Sequence, residues 1–441
     1  MYRSILAGLS AVALTAVVLT AGTPAAAAPA TEAAASSFSV LTYNVAGLPD
    51  GLSSGDPEKN TPLISPRLAG YDVVTVQEDF NYHAALYAGD NHPYRTATSG
   101  GVPFGDGLNT LSRFPFDDFD RTKWSNCNGT DCLTPKGFSL NRIRLAEGVY
   151  VDLYNLHPNA GVATADLAAR RANITQLTQY IAAKSAGNAV IVMGDTNTRY
   201  TRAEDNIREL TTGAGLTDAW VQLIRGGQAP ASGSPALVCD PAAVTNSCEV
   251  VDKVLYRGNR FINLTATQYN NENQKFLDSA GKPLSDHYPH LVRFNWSLND
   301  GIRMTDQFGG PHGDPFTDVH RLAAGTAVRS VRLRGGARLD RIGLTLANGT
   351  ILAHGGNTGI ETELILEPNE RIVRITLTRG KYNGRTRLFS AAVTTDRGRT
   401  LAAGVPTADA VTYTAPTGWQ ITGFTGRSGD GVDKLGVIYQ P

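Results

Sequence analysis

Hydrophobic and polar positions divide the chain into two regimes. In the first, residues 37–44 end in FSVLTYN, which predicts a strand, and residues 72–77 form a β-branched run suited to burial on both faces of a sheet. Residues 150–156 alternate, and a helix follows from about Ala165. Its spacing places Leu167, Ile174, Leu177 and Ile181 on one face and turns Arg170, Arg171 and Gln179 elsewhere. Residues 189–193, 250–256 and 290–294 complete the strands. Strands mixed with helices predict an α/β or α+β sandwich of two packed sheets. From Gly301 the helical period disappears. Short strands at 328–333, 363–366, 372–377 and 435–439 recur between glycine turns at 335–336, 355–356 and 429–431, a pattern of an all-β domain. The connection at 296–300 is too short for a flexible linker, so the two domains should lie close together.

The N-terminus follows different rules. Arg3 precedes an apolar run from Ile5 to Thr20, and an alanine-rich stretch at 25–30 offers small-residue cleavage sites. This is the plan of a secretory signal peptide, and the run is short for a membrane span. The expected organisation is a signal peptide at 1–30, a linker at 31–36, one domain at 37–297 and a second at 301–441. The mature protein is expected to be secreted and extracellular. Its four cysteines agree with export: Cys127 lies near Cys132 and Cys239 near Cys248, the simplest arrangement for two local disulfides. Zinc is the alternative, but it lacks C-x-x-C spacing and clustered histidines. Lys+Arg and Asp+Glu both number 40, so no overall charge draws the chain to nucleic acid or an anionic membrane.

Chemistry concentrates where the strands of the first domain end. Asn44 follows FSVLTY, Glu78 follows VVTVQ, His157 follows YVDLYNL, Asp195 and Asn197 follow AVIVMG, and Asp286 and His287 precede the last strand. Polar side chains at strand ends converge on one rim of such a sheet. Singly, each reads as a turn former, a cap or a satisfied histidine; in series they read as a site. Glu78 is a hard oxygen donor suited to Mg²⁺, and Asn44 and Asp286 could bind the metal or its waters. The metal and Asn197 would neutralise a phosphodiester. Asp195 with His287 would activate water, and His157 would protonate the leaving oxygen. Asp252 could orient His287.

The segments TYNVAGLP, VVTVQED, YNLHPNAG, VMGDTN and SDHYP, in this order, resemble the endonuclease/exonuclease/phosphatase superfamily, with its deoxyribonuclease I-like fold, over about 38–294. The resemblance implies a four-layered sandwich of two mixed β-sheets flanked by helices. It also implies Mg²⁺ dependence (Mn²⁺ or Ca²⁺ being alternatives) and hydrolysis without a covalent intermediate. QEDF and the KGF stretch at 136–138 look most like secreted sphingomyelinase and phospholipase C relatives, whereas HPNAG departs from their usual H-L-Q-x form. Two substrates therefore stay open: a phospholipid or glycophospholipid head group, with peripheral membrane contact, or a nucleic acid. For the latter, Arg142, Arg144, Arg199 and Arg202 could touch phosphates or simply be solvated. Trp124 is a lone candidate for membrane contact and reads more readily as packing.

In the second domain, FGGPHGDPFTD, GGNTGIETELILEPNERIVRITLTRG and GWQITGFTGRSGDGVDKLGVIY resemble jacalin-type lectins. The resemblance implies a β-prism whose G-x-x-x-D loop binds glycans. Gly429, Asp430, Gly431 and Asp433 supply that loop here, and Gly313 the early glycine. The aspartate would accept sugar hydroxyls while glycine admits close backbone approach. A sugar-binding protein with an inactive first domain is the third reading. No obligate protein partner is evident.

Overall fold

The computed structural model describes residues 35–441. The expected signal peptide and residues 31–34 of the expected linker lie outside them. Ala35 and Ser36, placed in that linker by the sequence, already pair with Ser297 and Trp296 in the first strand, Ala35–Asn44.

Two six-stranded mixed sheets face each other. In the first, Ala35–Asn44 runs parallel to Val73–Gln77 and antiparallel to His290–Leu298. In the second, Val149–Leu156 runs parallel to Ala189–Asp195, which pairs antiparallel with Asp252–Arg257. Alternation sorts the side chains. Phe38 and Val40 join the main core, while Leu41 and Tyr43 turn to the outer layer and pack with Ile64, Leu68 and Leu86 of the helices Pro57–Leu68 and His83–Ala88. On the far side the helix Thr164–Lys184 buries Ile174, Leu177 and Ile181. Arg170 departs from the expected pattern. It is wholly buried, because Asp205 ion-pairs with its Nε at 3.0 Å and the carbonyls of Asn159 and Gly161 accept from Nη1. Both expected disulfides are present, Cys127–Cys132 and Cys239–Cys248. Among the described residues no helix is long and apolar enough to cross a membrane.

After Leu298 the chain is all β. One five-stranded and two four-stranded antiparallel sheets enclose a core that includes Leu333, Ile342, Leu377, Val393, Phe424 and Val437. These strands form a three-sheeted prism, as the sequence led us to expect. The short connection also has the expected consequence, since the second domain is fastened to the first by polar contacts. The Asp306 carboxylate accepts from Arg144 Nε at 3.0 Å, Gly148 N at 2.9 Å and Tyr150 OH at 2.7 Å. Lys434 Nζ reaches Asp117 at 2.7 Å, and Arg427 reaches Asp118 at 3.0 Å. Burial opposes the charge on Asp306, yet the hydrogen bonds from Arg144, Gly148 and Tyr150 hold its carboxyl below the usual range. A depressed carboxylate adds stability above its unfolded pKa, and loses it as pH falls through the folded value. This clamp should therefore be in force at neutral pH and release only below about pH 4. Asp306→Ala should cost on the order of 2 kcal/mol, because Tyr150 and Gly148 lose their acceptor. Thermal unfolding and protease cutting near residue 300 would register the loss; an unchanged melt would remove the clamp from the account.

Candidate active site

Strand register assembles the site. The parallel pairing of Asn44 with Gln77 puts Glu78 beside Asn44, and the antiparallel pairing of Asp195 with Asp252 sets those two carboxylates side by side. Asn44 Nδ2 then bridges the sheets, donating to Glu78 Oε1 at 3.0 Å and to Asp195 Oδ2 at 3.2 Å. Around Asp195 Oδ2 lie His157 Nε2 at 3.4 Å and His287 Nε2 at 3.7 Å. His287 Nδ1 is 2.9 Å from Asp252 Oδ2, the orienting contact expected of Asp252. Asn197 N donates to Asp195 Oδ1 at 2.8 Å, and its side chain reaches the Pro158 carbonyl. Seven of the eight sequence candidates in this domain thus converge.

The eighth does not. Asp286 is exposed, and its carboxylate accepts from Ser54 Oγ at 2.6 Å rather than joining the cluster. Asp286 and His287 lie in a bend ahead of the strand His290–Leu298, which turns the Asp286 carboxylate out to Ser54 and the His287 ring in to Asp252. Each of the four arginines near the motifs has a protein partner. Arg142 is buried against Asp152 and Asp118, and Arg144 belongs to the Asp306 clamp. Arg202 pairs with Asp205, and Arg199 donates to the Glu249 carbonyl. Trp124 is core, its Nε1 donating to the His157 carbonyl at 2.8 Å.

Sequence reasoning missed Lys136 as a site residue. Its Nζ stands 3.2 Å from His157 Nε2, and it is ion-paired with Asp131. The signal was available in topology. Lys136 precedes the strand Gly137–Ala146, which runs antiparallel to Val149–Leu156, so a residue before the one lies beside a residue after the other.

Backbone strain marks the same rim. Of the five non-glycine residues with positive φ among the described residues, Ala46 (50°), Glu78 (58°) and Asn197 (51°) surround the cluster, and the other two are asparagines in the prism. Such conformations persist where surrounding structure over-determines them. Protonation is equally shaped. Burial, and then the charges of Lys136 and His287, push the His157 pKa well below its ordinary value, so that its ring is neutral at pH 7. For His287 burial works against charge, but Asp252 and Asp195 prevail and raise its proton affinity well above the ordinary value. Burial pushes Asp195 up to about 6.

The donor set fits a divalent cation. Glu78, Asp195 and Asp252 bring three carboxylates together, Asn44 adds an amide, and Asp252 Oδ1 is buried without a partner. Donor atoms of Asp195, Asp252 and His287 lie within 4.8 Å of one another. We read that trio chiefly as an ion-pair relay, because two carboxylates hold the imidazole. Hard oxygens centred on Glu78 suit Mg²⁺ better.

Similarity to known proteins follows the same division. Residues 60–243 match the Endonuclease/Exonuclease/phosphatase family 2, and residues 305–438 match the jacalin-like lectin domain. Sphingomyelinases of Mycobacterium bovis and Mycobacterium tuberculosis are 42% identical over 268 residues, which is 59% of this chain and 53% of theirs. The chain thus spans about half the length of these curated relatives. Among solved structures, sphingomyelinase C from Streptomyces griseocarneus has 21% identity and a TM-score of 0.40, covering 58% of this chain and 99% of that one. A Malaysian banana lectin has 25% identity and a TM-score of 0.29, covering 32% and 99%. The chain joins an endonuclease/exonuclease/phosphatase-like segment to a jacalin-like lectin segment.

Proposed function

We propose that the protein is an exported, Mg²⁺-dependent phosphodiesterase that hydrolyses a phospholipid head group of the sphingomyelin type, with its C-terminal domain holding it against glycans. The observation that carries this is the convergence of Asn44, Glu78, His157, Asp195, Asn197, Asp252 and His287 on one rim through strand register. Identity to the mycobacterial sphingomyelinases supports the lipid, and the two disulfides support export.

Glu78 and Asn44 would hold the cation, which when bound supplies charge neutralisation to a phosphodiester. Asp252 fixes the His287 ring, and Asp252 and Asp195 together keep that ring protonated, which leaves the Asp195 carboxylate as the group placed to take the proton of an attacking water, with His287 beside it. Asn197, held by its own backbone bond to Asp195, presents an amide to a non-bridging oxygen. His157 was expected from the sequence to give a proton to the leaving oxygen. Burial keeps it neutral, so we assign it a hydrogen-bonding role there beside the cationic Lys136. Grouping an active site with a glycan anchor raises its effective concentration at a glycosylated surface.

A matched panel tests the reading: sphingomyelin and phosphatidylcholine vesicles, phosphatidylinositol, plasmid DNA and RNA, each with Mg²⁺. Release of a phosphorylated head group from sphingomyelin is expected. Nicked plasmid with inert lipid would overturn the substrate and leave a nuclease of the same fold.

A further inference from the structure

The buried pair Arg170–Asp205 lies outside the catalytic cluster, yet its contacts run to that cluster from two directions. Asp205 stands in the loop that leaves the strand Ala189–Asp195, and Arg170 on the helix Thr164–Lys184 that follows His157. Their side chains are 1% and 0% exposed for Arg170 and Asp205, and Arg170 Nε donates to Asp205 Oδ1 at 3.0 Å. A buried ion pair is a poor device for stability alone, since apolar residues fill such a space without stripping two charges of water.

One arm leaves the aspartate. Asp205 Oδ2 accepts from Arg199 N and from Arg202 Nη1, both at 2.8 Å, and the same Nη1 donates to the Asn197 carbonyl at 3.0 Å. The loop 197–205 is thereby closed on itself with Asn197 at its start. A second arm leaves the arginine. Arg170 Nη1 donates to the carbonyls of Asn159 and Gly161 at 2.9 and 2.8 Å, and Asn173, one turn along the same helix, accepts from Asn159 N at 3.0 Å. These bonds fix the segment beside Pro158, whose carbonyl accepts from Asn197 Nδ2 at 3.3 Å. Both arms therefore end on Asn197, one at its backbone carbonyl and one at its side-chain amide.

Asn197 needs that support. Its φ of 51° is a conformation that L residues keep only where their surroundings hold them. With one amide N–H on the Pro158 carbonyl, the second remains for an oxygen of a phosphodiester. A donor aimed in advance at developing charge works because it need not reorient during the reaction.

We propose that Arg170 and Asp205 are positioning residues for turnover: the pair holds Asn197 in its left-handed conformation and aims its amide at a non-bridging phosphate oxygen. The inference rests on the phosphodiesterase reading and on Asn197 meeting the substrate, and it needs no choice between lipid and nucleic acid.

The test follows hydrolysis of bis-p-nitrophenyl phosphate by the full mature chain with Mg²⁺. Asp205→Asn keeps the shape of the side chain and removes the charge that Arg170 and Arg202 share. It should lower kcat about a hundredfold and leave KM within about threefold. Arg202→Gln, at a side chain 22% exposed, cuts the link to the Asn197 carbonyl and leaves the buried pair in place. About a tenfold loss of kcat with an unchanged melting temperature is expected of it. The deciding readout is a double-mutant cycle, which a merely structural role would not produce. In an Asn197→Ala background neither substitution should cost more than about a further twofold, because the group they aim is gone. Should Asp205→Asn fail to fold, Arg202→Gln carries the same cycle. Losses that multiply undiminished in the Asn197→Ala background overturn the positioning role, as does a folded Asp205→Asn with wild-type kcat. Wild-type turnover by Asn197→Ala alone removes Asn197 from the substrate and ends the inference while leaving the phosphodiesterase reading intact. A wild-type chain that cleaves neither this diester nor any substrate of the panel overturns that reading, and this inference with it.

Discussion

Glu78→Gln should reduce head-group release by at least about a thousandfold while leaving the melting temperature nearly unchanged. Gln keeps the length of the side chain and an oxygen for Asn44 Nδ2, whose contact to Glu78 is 3.0 Å. Only the charge disappears. Glu78 is 20% exposed and lies outside both hydrophobic clusters, so little folding energy depends on that charge. Catalysis depends on it heavily, since a cation held at this point would be worth several kcal/mol to a phosphodiester transition state, and each 1.36 kcal/mol is tenfold in rate. Steady-state release of phosphocholine from vesicles, with thermal unfolding alongside, checks both halves. A variant within tenfold of wild type would remove Glu78 from the machinery, and one that is inactive but unfolded would say nothing for the cation.

Much of this was legible in the sequence because strands advertise themselves. A run such as VVTVQ is buried on both faces, and the first polar residue after it must sit at an edge. That logic found Asn44, Glu78, His157 and Asp195 before any geometry was known. Asp252 sits inside VDKVLYR, and its place beside Asp195 follows from antiparallel register, which supports the orienting role anticipated for it. What escaped the sequence has a common cause: a linear pattern does not say what lies across a gap. Arg170 occupies a helix position that periodicity turns outward, but Asp205 pays for its burial. Lys136 belongs to the site only because an antiparallel neighbour brings it to His157. Asp286 and His287 are adjacent letters with opposite environments. The G-x-x-x-D motif likewise names Asp433 without revealing that Arg387, 46 residues away, sits on it.

Chelation should reproduce the Glu78→Gln phenotype reversibly. In the cluster, Glu78, Asp195 and Asp252 face one protonated imidazole, since the nearby Lys136 charge is already paired with Asp131 and His157 is neutral. Like charges so close repel unless a cation joins them. Dialysis against excess EDTA should therefore lower head-group release by at least about a hundredfold, and Mg²⁺ should restore it. A second readout does not depend on turnover. A cation that binds only the folded chain stabilises it by about 2.7 kcal/mol at a hundred times its dissociation constant, so Mg²⁺ should raise the melting temperature of the stripped protein. Glu78→Gln should show little or none of that rise. If the stripped wild type stays active with metal below stoichiometric levels, the carboxylates have another partner. If Mg²⁺ stabilises Glu78→Gln as strongly as wild type, the cation sits elsewhere on the rim, and Asp195 and Asp252 become the ligands to replace next.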